Sequence, residues 1–163
     1  MLSISLDLGR VPSVLAALAD PRNAQLVVNA AAQEYVTDIH AVIERGATLS
    51  GVKTFTPHTG QLQDSINWRP AGAGVAEVYA RAEYAAFVEF GTGEHSINPA
   101  AGRRGLKTNV SDGRGYVLAK SKNHPGSKPH PFFFADQDNR TEHMVAAGLS
   151  VLAARMAQAG GHG

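Results

Sequence analysis

Apolar positions change period several times along the chain, and each period predicts an element. Leu2, Ile4, Leu6 and Leu8 alternate with Ser3, Ser5 and Asp7. That period of two predicts a half-buried strand over residues 2–8. Residues 11–19 form a short apolar helix candidate. Asp20-Pro21 then reads as an N-cap followed by proline at the first helical position. The helix from Pro21 to about Arg45 carries an apolar stripe through Leu26, Val28, Ala32, Tyr35, Val36, Ile39 and Val42 or Ile43, and Gly46 stops it. Its other face holds Arg22, Gln25, Asn29, Gln33, Asp38 and Glu44. A rod of about 37 Å is long enough to cross a small sheet.

Residues 48–55 are weakly patterned and read as loop. Pro57 to Gly93 is the stretch around which the rest packs. Thr59 is expected to cap a short helix whose Leu62 and Ile66 share one face. Gly60 is expected to allow close packing at its start, and Ser65 to belong to the same turn. Asn67–Pro70 and Val75–Ala82 flank a Gly-rich turn over residues 71–74 and predict a hairpin. The small face Ala76, Val78, Ala80 and Ala82 suits a helix lying close. Glu77, Tyr79 and Arg81 are expected to be solvated or interfacial. Phe87 and Phe90, at i,i+3, are expected to face the sheet from a second short helix ended by Gly91. A last helix over about 136–158 has Met144, Val145, Leu149, Val151, Leu152 and Met156 as its apolar face. These elements predict an α+β fold: a small antiparallel sheet packed against a long N-terminal helix and a C-terminal helix. At 163 residues they fit a single domain over 1–163.

Charge changes this picture in one place. The net charge is +1, so no global field favours nucleic acid or anionic membrane. Yet residues 101–130 hold Arg103, Arg104, Lys107, Arg114, Lys120, Lys122 and Lys128 against Asp112 alone. Seven bases less one acid make +6 here, which leaves −5 for the rest of a +1 chain. With five glycines, two prolines and little large apolar content, the segment is expected to be a basic, loop-rich arm over about 93–130, with a candidate strand at Tyr116–Ala119. The arm reads as a docking element for an acidic protein partner, as a nucleic-acid contact, or as a solvated loop. Tyr116 is its one aromatic, so the stacking platform of a single-strand binder is missing. Phe132-Phe133-Phe134 is expected to turn at least one ring outward, toward a subunit interface. Glu89 near a helix C-terminus is expected to meet a basic group of the same or the next subunit.

Catalytic patterns are absent. There is no cysteine, which excludes disulfides, thiolate metal sites and cysteine nucleophiles. No phosphate-loop, nucleophile-elbow or His-Glu-x-x-His pattern occurs. Phe90-Gly91-Thr92-Gly93 reads as a turn, since no helix or spaced third glycine follows. Glu94-His95 and Glu142-His143 are adjacent pairs without the spacing that puts two metal ligands on one helix face. No enzyme activity, cofactor, metal or membrane span is expected. The N-terminus lacks a basic start followed by a long apolar run, so a cytoplasmic place of synthesis is the expectation.

Three segments together carry a resemblance: Thr59-Gly60-Gln61-Leu62-Gln63-Asp64-Ser65-Ile66, then Tyr84-Ala85-Ala86-Phe87-Val88-Glu89-Phe90-Gly91-Thr92, then His130-Pro131-Phe132 before a closing helix. In this order they resemble the neck and tail-completion morphogenesis proteins of long-tailed bacteriophages and gene-transfer particles. The resemblance spans about residues 57–156 and departs from the family pattern in the length of the segment between Thr92 and His130 and at Ala135-Asp136. It implies a non-catalytic virion component, assembled in a bacterial host's cytoplasm, that forms a homo-oligomeric and commonly six-fold ring at the head–tail junction. Its implied neighbours are head-completion or stopper proteins and tail-terminator or tail-tube proteins, with DNA passing through the lumen. A tail-terminator ring capping the tube is the alternative within this class. A DNA-binding accessory protein using residues 101–130 is the alternative outside it. For a ring, one face must complement a different face of the neighbour. Glu89, Thr92, the seven bases of the arm and Phe132–Phe134 are the expected interface, and Thr59, Gly60, Leu62, Ser65 and Gly91 the expected structural turns.

Overall fold

A computed structural model describes residues 1–7, 21–56, 59–109 and 116–160. The expected helix at 11–19, the Asp20 cap, and Asp112 and Arg114 of the arm lie outside the described residues. The elements are β1 (Leu2–Asp7), α1 (Pro21–Arg45), α2 (Gln61–Asp64), β2 (Ile66–Gly72), β3 (Val75–Ala80), α3 (Ala85–Phe90), β4 (His95–Ile97), β5 (Leu106–Asn109), β6 (Tyr116–Ala119), β7 (Lys122–His124) and α4 (Gln137–Gly160). The fold is α+β, with the long N-terminal helix, C-terminal helix and small antiparallel sheets that the periodicity predicts.

The main sheet has the order β1-β3-β2, antiparallel throughout. Ala80 pairs with both Leu2 and Ile66, which fixes the register at one end. Pro70 is tolerated because β2 is an edge strand, and the register shifts by a bulge between Pro70 and Gly72. Ala76, Val78 and Ala80 are fully buried, as expected of the small face. α1 lies on the sheet, and two polar residues of α1 tie it there. Gln25 Oε1 accepts from the Gly74 backbone N–H at 3.0 Å, and Gln33 Oε1 accepts from Trp68 Nε1 at 2.8 Å.

The opposite face of β3 is less open than expected. Tyr79 is buried, with the guanidinium groups of Arg69 and Arg81 at 5.4 and 5.2 Å from its ring centroid. Two cations covering one aromatic face remove it from water without a second sheet.

α4 packs along α1 through Arg140, Met144, Gly148 and Leu152, a run at i,i+4 spacing. The helices come close at Gly148, where a Cβ would stand 2.8 Å from Val27 Cγ1. Val145 and Leu149, expected on the apolar face, are exposed. They lie one position beyond Met144 and Gly148, so the helix turns them off the seam. Asp38 is buried on α1, contrary to its reading as solvent-facing. Its carboxylate meets His143 Nδ1 of α4 at 2.9 and 3.0 Å. The main core unites Val28, Tyr35, Ile39, Val42 and Ile43 of α1 with Ile66, Val78, Phe132 and Phe133.

Candidate assembly surface

α3 has six residues, and its two buried positions are Ala85 and Glu89. Consecutive residues turn about 100° in a helix, so i,i+4 residues share a face and Phe87 points nearly the opposite way. Phe87 and Phe90 are accordingly 60% and 61% exposed. This reverses the expected orientation, in which both rings faced the sheet.

The reason is Glu89. Its carboxylate accepts three backbone N–H bonds: from Phe132 and Phe133 to Oε2, both at 2.8 Å, and from Phe134 to Oε1 at 3.1 Å. A buried carboxylate is stable only where donors replace its water, and three converging peptide N–H groups do so. Backbone N–H groups of the chain itself therefore stand where a basic group of the same or the next subunit was expected. The carbonyl edge of the same segment meets Arg140, also fully buried. Arg140 Nη1 donates to the Phe133 carbonyl and Nη2 to the Phe132 carbonyl. Tyr35 Oη donates to the Phe133 carbonyl at 2.7 Å, and the Arg140 guanidinium lies 5.1 Å from the Tyr35 ring centroid. Phe132 and Phe133 are fully buried within this clamp. Phe134 is partly buried and stacks on Phe90, with centroids 6.2 Å apart. The aromatic run is thus core, and the outward aromatics are Tyr84, Phe87 and Phe90 of the preceding segment.

The turn residues divide. Gly60, at φ 71°, occupies the N-cap position of α2, and no side chain caps the helix, so Thr59 does not have the expected capping role. The positive-φ glycine supplies the turn into the helix. Nothing crowds Gly60, whose Cβ would have only Asp64 Oδ2 at 4.0 Å, so its conformation rather than close packing requires glycine there. Ser65 closes the turn by donating from Oγ to the Leu62 carbonyl at 2.7 Å, and its own carbonyl accepts the Arg81 N–H. Leu62 is half-buried against the core.

Gly91 ends α3 at φ 73°, ψ −177°, a region essentially closed to other residues. There the arm begins. Thr92 and Ser127 exchange both backbone hydrogen bonds, at 3.0 and 3.1 Å, and Thr92 Oγ1 accepts a further bond from the Ser127 N–H. Beyond this root the arm is a ribbon rather than the expected loop. β4 pairs with β7 (His95↔His124 to Ile97↔Lys122), and β5 pairs with β6 (Leu106↔Ala119 to Asn109↔Tyr116), both antiparallel. The ribbon strands have their extensive contacts with one another. Tyr116, Val117 and Leu118 are 55%, 54% and 56% exposed, although successive residues of a strand point to opposite faces. Arg103, Arg104, Lys107, Lys120, Lys122 and Lys128 are all exposed, with the Lys107 ammonium 3.9 Å from the Tyr116 ring centroid.

Other titratable groups are accounted for by packing. Glu34, Asp38 and His143 each bring one potential ligand atom within 4.8 Å of the others. The Asp38–His143 hydrogen bond, then the Asp38 charge, raise the His143 pKa above its usual value, with smaller help from Glu34 and Glu142. The cluster is thereby explained as an ion pair joining α1 to α4. Asp136, at φ 53°, precedes α4 and accepts from Ser50 Oγ at 2.7 Å and from the Ser50 N–H at 3.1 Å. Burial raises its pKa, but these bonds and others from Thr48 and Leu49 outweigh that and hold it below the usual carboxylate value. Among the described residues no helix is long and apolar enough to cross a membrane.

The exposed aromatic face of α3 and the basic ribbon are the candidate surfaces for assembly. Residues 15–91 match the model of a family described as "Bacteriophage HK97-gp10, putative tail-component". The match supports the resemblance to tailed-phage morphogenesis proteins, and the family it names suggests a phage tail-related structural component. The match takes in α1, the hairpin and α3 and ends at Gly91, so the ribbon and α4 lie beyond it. No curated protein and no solved structure matches the chain.

Proposed function

We infer that the protein forms a closed homo-oligomeric ring, commonly six-fold, at the head–tail junction of a long-tailed phage or phage-like particle, as a neck or tail-completion component. The observation that carries this reading is the ribbon. It presents apolar side chains to water on both of its faces, and a two-stranded ribbon is at best marginally stable alone. Such a ribbon gains its burial from another molecule. Its basic side chains and the net acidity of the rest of the chain favour a partner that carries this same body. In this reading DNA passes through the lumen of the ring, which is flanked by stopper and tail-tube neighbours.

The test is sedimentation and negative-stain microscopy of the purified chain, with an assay for joining heads to tails in particles lacking it. Closed rings and heads left unjoined without the protein are expected. A chain that stays monomeric at every concentration, with joining unaffected by its loss, overturns the reading. A loss of DNA retention alone, with joining intact, supports the DNA-binding accessory role instead.

A further inference from the structure

We propose that the ribbon tip of one subunit docks on α3 of a second copy, seating Tyr116 and Leu118 against Phe87, Tyr84 and the apolar pocket beside them. This rests on the ring reading above and names the contact that would close it.

The acceptor is a built surface. Tyr84, at the N-cap position of α3, and Val88 of α3 form one wall of a pocket of about 160 Å³, whose other walls include Ile43, Phe55 and Leu62. A cavity of about that size holds one aromatic ring. Phe87, one turn along from Tyr84, continues the apolar surface outward. Acids stand close to this surface. Glu44 accepts from Gln63 Nε2, at the pocket's edge, at 2.7 Å, and Asp64 and Glu83 directly adjoin pocket residues Gln63 and Tyr84. All three are exposed.

The donor has the opposite charge. β6 carries three consecutive exposed apolar residues, with Lys120 two positions beyond Leu118 and Lys107 paired across from Leu118. Cations beside an apolar strip meet acids beside an apolar pocket, so burial supplies affinity and charge supplies register. A second copy is the occupant because the ribbon's own root is locked. The Thr92–Ser127 pair ties it at the C-terminal end of its own α3, and the ribbon strands have their extensive contacts with one another. Donor and acceptor are different surfaces of one chain, so the contact is head-to-tail and can propagate into a ring.

The chain has no cysteine, which permits a direct test. Phe87→Cys and Leu118→Cys replace exposed side chains, and thermal melts would confirm that each variant folds. Oxidation of the double variant Phe87→Cys/Leu118→Cys is expected to give a ladder of covalent multimers extending past the dimer. An equal mixture of the two single variants is expected to stop at a covalent heterodimer. Leu118→Cys mixed with Val145→Cys, on exposed α4, is expected to give at least tenfold less product. A disulfide within one chain of the double variant would show the ribbon folding onto its own α3 and overturn the second-copy assignment. No cross-link in a chain that still forms rings would overturn this contact and leave the ring reading standing. A wild-type chain that does not self-associate would overturn both.

Discussion

Glu89 and Arg140 hold opposite edges of one peptide segment. The carboxylate takes the N–H groups of Phe132, Phe133 and Phe134, and the guanidinium takes the carbonyls of Phe132 and Phe133. Each charge lies against peptide dipoles that the other also orders, although the buried Arg140 Nε has no hydrogen-bond partner among the described residues. The clamp ties α3, the aromatic segment and α4 into one unit, and so sets which face α3 shows to solvent.

The first prediction follows from that clamp. Glu89→Gln exchanges an acceptor-only group for one with an amide that cannot accept, leaving a buried N–H unpaired and Arg140 uncompensated. The expected loss is about 3 kcal/mol, several degrees in melting temperature for a chain of this size. Arg140→Met should cost a similar amount, and the double variant less than the sum of the two. Chemical denaturation of the four proteins measures this. Strict additivity would mean that the two charges act independently. Impaired assembly of a Glu89→Gln protein of normal stability would return Glu89 to an intersubunit role.

A second prediction separates two of the positive-φ glycines, Gly60 and Gly91. Gly91→Ala places a Cβ 2.5 Å from the Ser127 carbonyl oxygen and 2.9 Å from Pro129 N, both backbone atoms that cannot swing aside. With the backbone strain added, the expected cost is about 3 kcal/mol. Gly60→Ala meets no such obstacle and should cost about 1 kcal/mol, the price of a left-handed alanine. Thr59→Ala should stay within about 0.5 kcal/mol, because Thr59 caps nothing. Melts of the three variants in that order check the assignment, and equal losses at Gly60 and Gly91 would contradict it.

A third prediction concerns pH. The His143 pKa is raised in the fold. Stabilisation from its pair with Asp38 is therefore fully present below the unfolded value of about 6.5 and is lost as pH rises through the raised folded value. His143 is half exposed, so the effect should be small and should shrink with added salt. Melting temperature against pH, for wild type and His143→Gln, should show the two curves converging toward alkaline pH. Curves that diverge upward through that range would invert the sign and remove the pair from the account.

The fold was largely legible from periodicity. The stripe of α1 and the small face of β3 each obey one period and appear largely as read, with Asp38 the polar residue that crosses to the buried side. The clamp was not legible in the same way. A carboxylate in a short amphipathic segment is ordinarily the solvated residue, and Phe87 and Phe90 look like the buried ones. Only the supply of three N–H donors from residues 132–134, more than 40 positions later in sequence, reverses that preference. A signal for Arg140 was present: it stands four, eight and twelve residues before Met144, Gly148 and Leu152, on the stripe that faces α1. A cation on an apolar stripe needs buried acceptors. The run Tyr116–Ala119 reads as a strand and is β6, but the other three strands were missed because they are three or four residues long and their cross-strand pairing is non-local. Composition correctly marked the segment as apart from the core but carried no information on pairing.

The last prediction removes the ribbon at its root. Thr92 and Ser127 exchange both of their backbone hydrogen bonds, the arrangement found at the closing pair of a two-residue hairpin. Replacing residues 93–126 by Asn-Gly should therefore close the chain in a type I′ turn without moving Gly91 or the clamp beyond Ser127. His130 N–H still reaches the Val88 carbonyl, and Glu89 still reaches Phe132 to Phe134. The shortened protein should melt within a few degrees of wild type, because the ribbon's extensive contacts are internal to it. Circular dichroism checks that part. Sedimentation should show a monomer under conditions where the intact chain assembles, and heads and tails should remain unjoined in particles that carry only the shortened form. Substituting Glu for Lys107 and Lys120 in the full-length chain should weaken assembly several-fold, more at low salt than at high, because the lost attraction is screened. An unfolded shortened protein would make the ribbon part of the body's own stability. A shortened protein that folds, assembles and joins as wild type would reduce the ribbon to a solvated appendage.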